Sequence, residues 1–287
     1  LYVGNRSNYT IQKGAPYSIV PTLTSSSLGA PTDAVSAVID LGSLGQSATL
    51  SIQSGTQNSN RGLNLAGTTG SVTIDASGSS LLKMSGTLTV TGAGSKTLRL
   101  FGTSATLAEF AGVIPDNSTL NKTSVLRDGG GIWALTGANS YSGGTTVNSG
   151  TLGVGNGLAL GSGSLTLNDG ATLDAYISVA LPNNPQIWNG SWAFLGSANL
   201  DAGSGAVTMN APSNITVLGG SLTIGGSING GANGLTKLGG GTLILSGSNS
   251  YTGITSVAEG LLILNGPNAL PSGSTLNVTG SGAVRVQ

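Results

Sequence analysis

One stretch decides the fold: Gly129-Gly130-Gly131-Ile132-Trp133-Ala134-Leu135-Thr136-Gly137-Ala138-Asn139-Ser140-Tyr141-Ser142-Gly143-Gly144-Thr145-Thr146-Val147. The same pattern returns later in the chain, from Gly239 to Val257, and the match continues without a gap to Ser164 and Ser274. Over this longer window, 18 of 36 positions are identical. An internal repeat at a fixed offset is typical of solenoids, in which each unit buries its apolar face against the next unit.

Around the repeat, apolar and polar residues alternate strictly in short segments, which is the pattern of β-strands. Glycine, asparagine or serine bounds nearly all of these segments. One short stretch, Asp33 to Ile39, has a weak helical pattern with Thr32 as a candidate N-cap and Gly42 as a stop. We therefore expect an all-β protein, with strands that include Ala48–Ile52, Leu63–Leu65, Val72–Ile74, Thr87–Val90, Lys96–Leu100, Ser164–Leu167, Ser221–Ile224 and Leu243–Leu245.

The distance along the chain from Gly129 to Gly239 is too long for one coil of a solenoid and indicates several coils per repeat. With roughly 20 to 25 residues per coil and strands about 4.8 Å apart, the chain predicts about a dozen coils in a rod of about 50 to 60 Å. The expected fold is a right-handed parallel β-helix, with the two copies about four to five coils apart. Its inward residues should include Leu135, Val147 and Leu152 and their equivalents Leu245, Val257 and Leu262.

The second copy resembles the passenger-associated transport repeat, also called the autotransporter-associated β-strand repeat. The resemblance rests on Leu235-Thr236-Lys237-Leu238-Gly239-Gly240-Gly241-Thr242-Leu243 and on Ser246-Gly247-Ser248-Asn249-Ser250-Tyr251-Thr252-Gly253. The first copy departs from the family pattern at Arg127-Asp128, where lysine is usual, and at Trp133, where leucine is usual. The resemblance implies a β-helical passenger rod that is exported across the outer membrane of a Gram-negative bacterium.

Two regions are predicted along the chain. Residues 1–45 contain Pro16, Pro21 and Pro31 and alternate weakly, so we expect an N-terminal cap, arm or linker there, because proline removes a donor from a strand ladder. Residues 46–287 should form the β-helix, with repeat copies at about 124–173 and 234–286. Because the alternation continues through 283–286, we expect either end-to-end self-association at that edge or continuation of the same chain.

Composition excludes most catalytic arrangements. The chain has no histidine and no cysteine, so neither Ser-His-Asp triads nor His- or Cys-based metal sites are available. Asp169 and Asp174 are the carboxylates closest together in one segment, and we interpret them as solvated turn residues. Asp128 before three glycines suggests a calcium-binding turn, but the second copy has Leu238 there. We expect no catalytic residue, no cofactor and no metal.

Aromatic residues give the one candidate binding feature. Trp188, Trp192 and Phe194 cluster around Gly190, and on a single strand their spacing would put all three on one face. An inward core stack is the favoured interpretation, and a platform that contacts host or surface glycans is the alternative. Tyr141 and Tyr251 are equivalent repeat positions, for which stacking along the rod is expected rather than ligand binding.

The net charge is zero and charged residues make up 7% of the chain. This composition argues against nucleic acid as a partner, and no apolar run is long enough for a membrane helix. The predicted function is a structural, secreted or surface-exposed rod: a stalk, an adhesin scaffold or a fibre segment. The alternative is a β-helical protein that binds carbohydrate or cleaves polysaccharide, for which clustered carboxylates or basic residues would be needed.

Overall fold

The computed structural model describes residues 38–287 except 43–44, 53–54, 69 and 80. Within these residues there are 29 short strands and no helix. Every strand pair in the described part of the chain is parallel, as the sequence predicts. The chain is therefore an all-β solenoid of stacked parallel strands, with about 11 turns.

The strands stack into three faces, which the chain visits in a fixed order. Face I holds nine strands: β2 (Ala48–Ser51), β5 (Gly70–Asp75), β8 (Lys96–Phe101), β10 (Thr123–Asp128), β12 (Thr145–Val147), β14 (Leu165–Leu167), β17 (Gln186–Trp188), β20 (Val207–Met209) and β23 (Ile228–Asn229).

Face II follows face I in each coil and holds eleven strands: β3 (Thr56–Ser59), β6 (Leu81–Met84), β9 (Leu107–Phe110), β11 (Ile132–Leu135), β13 (Thr151–Val154), β15 (Ala171–Ala175), β18 (Trp192–Phe194), β21 (Ser213–Val217), β24 (Leu235–Leu238), β26 (Thr255–Val257) and β28 (Leu276–Val278). With strands about 4.8 Å apart, this face is about 50 Å long.

Face III closes each coil and consists of two separate stacks. The first stack is β1 (Val38–Leu41), β4 (Gly62–Leu65) and β7 (Leu88–Val90). The second stack is β16 (Val179–Ala180), β19 (Leu200–Asp201), β22 (Ser221–Ile224), β25 (Thr242–Leu245), β27 (Leu261–Leu264) and β29 (Ala283–Val286). Between the two stacks, face III is formed by irregular segments within residues 111–122, 136–144 and 155–164.

The core is a continuous column of apolar side chains inside the coils. The inward positions alternate with outward ones along each strand, so that neighbouring coils cover each other's leucine, isoleucine and valine side chains. The six side chains predicted to point inward are all fully buried: Leu135, Val147, Leu152, Leu245, Val257 and Leu262. Each such burial contributes about 1.5 to 3 kcal/mol relative to exposure, which favours one register throughout the rod.

The two repeat copies are five coils and one face apart. Five register steps along face I connect Val125 to Ile228. The residue equivalent to Val125 in the second copy is Leu235, which lies one strand further along, on face II. The irregular segment of the first copy, 136–144, therefore closes face III, whereas its equivalent at 246–254 closes face I. The second copy is turned by one face about the rod axis.

One prediction about the N-terminal part needs correction. The boundary at residue 46 is too late, because β1 already pairs in register with β4, from Val38 opposite Gly62 to Leu41 opposite Leu65. The weak helical pattern at Asp33–Ile39 does not form a helix at its described end, since Val38 and Ile39 are in β1, in agreement with the expected all-β fold. There, burial of alternate residues against the next coil outweighs a weak local helix preference. Residues 1–37 lie outside the described residues.

At the other end, β28 and β29 each have one pairing partner in the structure, β26 and β27 respectively. The side chains of Val278 and Val286 are exposed here, whereas their apolar counterparts in the preceding coil are buried. End-to-end association or continuation of the chain at this edge stays a prediction.

Candidate functional site

The repeat motif builds the same internal corner twice, around a buried positive charge. In the second copy, Lys237 points inward and its Nζ donates to the carbonyl oxygens of Leu238 (2.9 Å), Gly239 (2.7 Å) and Glu259 (3.2 Å). Burial lowers the pKa of Lys237 to about 8, while the negative charge of Glu259 acts in the opposite direction. A pKa of about 8 keeps the ammonium charged at neutral pH.

Arg127 performs the same task in the first copy. Its guanidinium donates to the carbonyl oxygens of Thr151 (3.1 Å) and Leu100 (3.2 Å), and also to those of Asp128 and Gly131. Burial lowers its pKa to about 10, opposed by the charge of Asp128. The departure from lysine in this copy is therefore a substitution of one carbonyl-binding cation by another.

A glycine of the following coil covers each of these corners. Gly150 lies above Arg127 with a φ of +69°, and a Cβ there would be 2.3 Å from the Gly129 carbonyl oxygen. Gly260 lies above Lys237 with a φ of +66°, and its Cβ would be 2.3 Å from the Gly239 oxygen. The glycines of the motif are thus required by close approach as well as by backbone conformation.

An asparagine of each copy joins three successive coils. Asn139 accepts from the Ile114 amide (2.9 Å) and donates to the Ala159 oxygen (2.6 Å). Asn249 makes the equivalent bonds to the amide of the coil before it (2.8 Å) and to the Ala269 oxygen (2.6 Å). These bonds replace a strand ladder where the motif is irregular, which satisfies buried backbone groups that have no strand partner.

The repeat tyrosines are buried inside the coil. Tyr141 hydrogen-bonds Thr145 at 2.6 Å, and Tyr251 hydrogen-bonds Thr255 at 2.8 Å. Burial raises the pKa of both phenols. They do not stack on one another. The second copy is rotated by one face about the rod axis, which places Tyr141 on face III and Tyr251 on face I. Their burial leaves them no role in contacting an external ligand.

A second polar feature runs along the corner between faces I and II. Asn168 donates its side-chain amide to Asn148 (2.6 Å), Asn189 to Asn168 (2.7 Å) and Asn210 to Asn189 (2.8 Å). Such a ladder joins four coils through side chains that all point the same way. Asparagine at a repeated turn is the sequence signal for it.

The aromatic cluster is part of the core and differs from the sequence prediction in placement. Trp188 is on face I, whereas Trp192 and Phe194 are on face II, because Gly190 lies at a corner between two strands rather than within one. All three rings are buried, and the Trp188 and Trp192 centroids are 5.4 Å apart. A glycan platform requires exposed rings, and this geometry does not provide them.

The two nearby aspartates lie at opposite ends of β15. Asp169 is exposed in the turn before the strand, as predicted. Asp174 is buried, contrary to the prediction, and accepts from the Ser197 amide (2.9 Å) and hydroxyl (2.7 Å). A strand rises about 3.3 Å per residue, so the segment from Ala171 to Asp174 alone spans about 10 Å, and Asp169 lies beyond it in the turn. That separation exceeds the range of about 5 to 9.5 Å for carboxylates that hydrolyse glycosides.

Carboxylates elsewhere are not paired across coils. No described strand carboxylate has another carboxylate as its register partner in the adjacent coil. Asp128, the candidate for a calcium turn, is bound by the Arg99 guanidinium at 2.5 Å. Across residues 38–287, with the gaps given above, no group of three or more acidic, histidine or cysteine side chains could hold a metal ion.

A shallow groove of about 300 Å³ lies on the outside of face II, next to the corner that begins at Asp169. Its outward-facing lining includes Thr172, Ser191, Ala193, Asn214 and Thr216. The groove is open and is lined by both polar and apolar groups. No helix in the described chain is long and apolar enough to cross a membrane.

A comparison with protein families finds a match in the sequence segments that form the two corners described above. The model of the passenger-associated-transport-repeat family matches residues 127–154 and 235–264. An autotransporter protein from Brucella suis biovar 1 (strain 1330), the adhesin BmaC, is 34% identical over 154 residues. The chain contains two passenger-associated-transport repeats and is similar to an autotransporter adhesin.

The extent of these matches is limited. The alignment with the adhesin covers 50% of this chain but 4% of the adhesin, so the chain spans a small part of that relative. No solved structure matches it. Both family matches begin at or just before the buried cation and end in the strand after the covering glycine. The internal corner is thus the part of the fold that the repeat sequence encodes.

Proposed function

We propose that this chain is a rigid, non-catalytic passenger rod on the surface of a Gram-negative bacterium, where it spaces and presents adhesive surfaces. The observation that carries the proposal is the use of internal polar groups to join coils. The corner cations at 127 and 237, the motif asparagines at 139 and 249 and the ladder from Asn148 to Asn210 all bind across coils. A long-lived rod needs such bonds, because each coil contacts its two neighbours alone.

The arrangement of the carboxylates supports the absence of catalysis. The carboxylates that a hydrolase would need instead make contacts within the protein. Glu109 pairs with Lys83 (3.0 Å), Asp116 accepts from the Ser142 hydroxyl (2.6 Å) and Asp174 accepts from the Ser197 hydroxyl. Basic residues, which a polysaccharide lyase would need, do not occur between Arg127 and Lys237. The relative's description as an adhesin supports presentation at the surface.

Two measurements test the proposal. In the first, the full-length parent protein is produced in its bacterium, and an antibody to this region is applied to intact cells that are then treated with proteinase K. We expect labelling on intact cells and loss of the labelled region after digestion. Labelling that appears only after the cells are lysed would contradict the surface role.

In the second measurement, the purified chain is incubated with neutral and uronic-acid polysaccharides, and new reducing ends and unsaturated uronates are measured. We expect no release above that of a heat-denatured control. Release of oligosaccharides would favour the polysaccharide-cleaving alternative and would contradict the non-catalytic part of the proposal.

A further inference from the structure

The groove on face II follows the rod axis across three coils. Thr172, Ala193 and Thr216 occupy one register position on β15, β18 and β21. At about 4.8 Å per strand, this row is about 10 Å long. The three side chains point outward, since the residues on either side of them along their strands are buried. The small Ala193 between two threonines forms the recess.

A chain of hydrogen bonds fixes the polar edge of the groove. The Asp169 carboxylate accepts from the Ser191 backbone N–H at 2.8 Å, and the Ser191 hydroxyl oxygen accepts from the Asn214 backbone N–H at 3.1 Å. A Cβ at Gly190 would be 2.6 Å from Asp169 Oδ1, so the glycine leaves the space that the carboxylate occupies. The Asp169 carboxylate and the Ser191 hydroxyl, from two successive coils, are therefore held in place without a ligand, which lowers the cost of binding one.

The chemistry of the lining selects a class of ligand. Hydroxyl groups of Thr172 and Thr216 and the amide of Asn214 both donate and accept hydrogen bonds, and the second oxygen of the Asp169 carboxylate is an acceptor. The alanine methyl group of Ala193 offers a small apolar contact. Sites for small molecules combine a concave shape with a few fixed polar groups of this kind.

The charge of the groove narrows the class of ligand further. Asp169 is the one charged residue in the lining of the groove, and no lysine or arginine lines it. The edge of the groove is therefore negative, and it repels anions. We propose that the groove binds neutral saccharide units and discriminates against sialylated or sulfated ones. This inference rests on the proposed adhesive function for its biological meaning, and it concerns a surface distinct from the buried aromatic cluster.

Saturation-transfer NMR on the purified chain tests the inference. The probes are the neutral disaccharides lactose, maltose and cellobiose, with 3′-sialyllactose as the anionic counterpart of lactose, each at about 10 mM so that millimolar binding is detected. We expect transfer to at least one neutral disaccharide and less transfer to the sialylated probe than to lactose. No transfer to any of the three neutral probes, or equal transfer to lactose and 3′-sialyllactose, overturns the proposal.

Variants locate the binding. Ala193→Gln fills the recess and should lower the affinity for the bound neutral disaccharide at least about tenfold. Thr172→Val with Thr216→Val removes two hydroxyls without changing shape and should also weaken binding. The matched control, Thr208→Val with Thr223→Val, removes outward hydroxyls on faces I and III and should leave affinity unchanged.

Far-ultraviolet circular dichroism establishes that each variant is folded before its affinity is compared. Folded Ala193→Gln protein with wild-type affinity would place the ligand elsewhere and overturn the assignment. These outcomes are separate from the proposed function, because surface labelling and protease accessibility do not depend on this groove.

Discussion

At the residue scale, the most informative position is the inward cation of the repeat. Lys237 and Arg127 are both fully buried, and each binds carbonyl oxygens of its own corner and of the next coil. An unpaired buried carbonyl costs about 1 to 3 kcal/mol. The cation therefore satisfies several groups that the glycine-rich corner directs inward, which explains why the two copies keep a positive charge but not the same residue.

Lys237→Met tests this role. The methionine keeps the length of the side chain but leaves three carbonyl oxygens without a donor, so we expect a loss of about 2 to 3 kcal/mol in the free energy of unfolding. Lys237→Arg should lose less, since Arg127 serves the equivalent corner. Urea denaturation measures the effect, and Lys122→Met, at an exposed lysine, is the control. Equal stability of Lys237→Met and Lys122→Met would refute the role.

The lowered pKa of Lys237 also predicts a pH dependence. The folded chain releases this proton at about pH 8, whereas the unfolded chain keeps it until about pH 10.4. Between these values the unfolded state binds more protons, so this lysine makes stability rise with pH. We expect the stability difference between wild type and Lys237→Met to widen from pH 8 to pH 10, measured by urea denaturation. A difference that stays constant or narrows contradicts the assignment.

Above pH 10 the buried tyrosines act in the opposite direction. Their raised pKa values mean that the unfolded chain loses phenolic protons first, so the stability they contribute is lost as the pH rises. Wild type and Lys237→Met share both tyrosines, so this loss cancels in the comparison of the two proteins.

The two buried tryptophans should respond differently to the same substitution. Trp188 Nε1 donates to the buried Gln186 Oε1 at 3.2 Å, whereas Trp192 Nε1 is buried and has no partner in the described structure. Trp188→Phe and Trp192→Phe remove the same volume, but the first also leaves a buried acceptor unpaired. We expect Trp188→Phe to be the less stable by about 1 kcal/mol or more in chemical denaturation. A more stable Trp188→Phe would contradict the hydrogen-bond assignment.

At the element scale, the coil corners determine how strands stack. The ladder from Asn148 to Asn210 links the corners between faces I and II, where the strands have ended. Its members are unequal: Asn189 both donates and accepts, while Asn210 donates to Asn189. Polarisation along such a chain strengthens the interior bonds.

The ladder predicts a ranking of alanine variants. Asn189→Ala removes two hydrogen bonds and should lower the free energy of unfolding by about 1 to 2 kcal/mol, whereas Asn210→Ala removes one and should cost about half as much. Urea denaturation of both variants measures the ratio. If both variants lose the same stability, the bonds of the ladder do not contribute as the structure indicates.

Strand alternation was predictable from the sequence, and the corners were less so. Alternating residues identified inward Leu152 and Val257 because burial on one side of a strand requires a period of two. The pattern did not identify Lys237 as buried, since a lysine in a strand usually marks the outer face. It also joined Trp188 to Trp192 in one strand, because a glycine within an aromatic run does not show whether the chain bends there.

At the scale of the whole molecule, the repeat offset does not equal a whole number of coils. Coil lengths vary along face I: the register step from Lys96 to Thr123 spans more of the chain than the step from Val125 to Thr145. The offset between the copies can be read from the sequence, and it made the number of coils predictable. The length of each register step cannot be read from the sequence, so the rotation of the second copy by one face was not predictable. Equivalent surfaces of the two copies consequently point to different sides of the rod.

The relative placement of the two copies is the central structural claim, and distances between spin labels test it most directly. Ala138→Cys with Ile244→Cys places both labels on face III, five coils apart, with an expected separation of about 24 Å. Ala138→Cys with Ser248→Cys marks equivalent repeat positions on faces III and I. We predict a longer distance for 138–248 than for 138–244 in double electron–electron resonance. A 138–248 distance equal to or shorter than the 138–244 distance would contradict the turned, parallel-stacked rod.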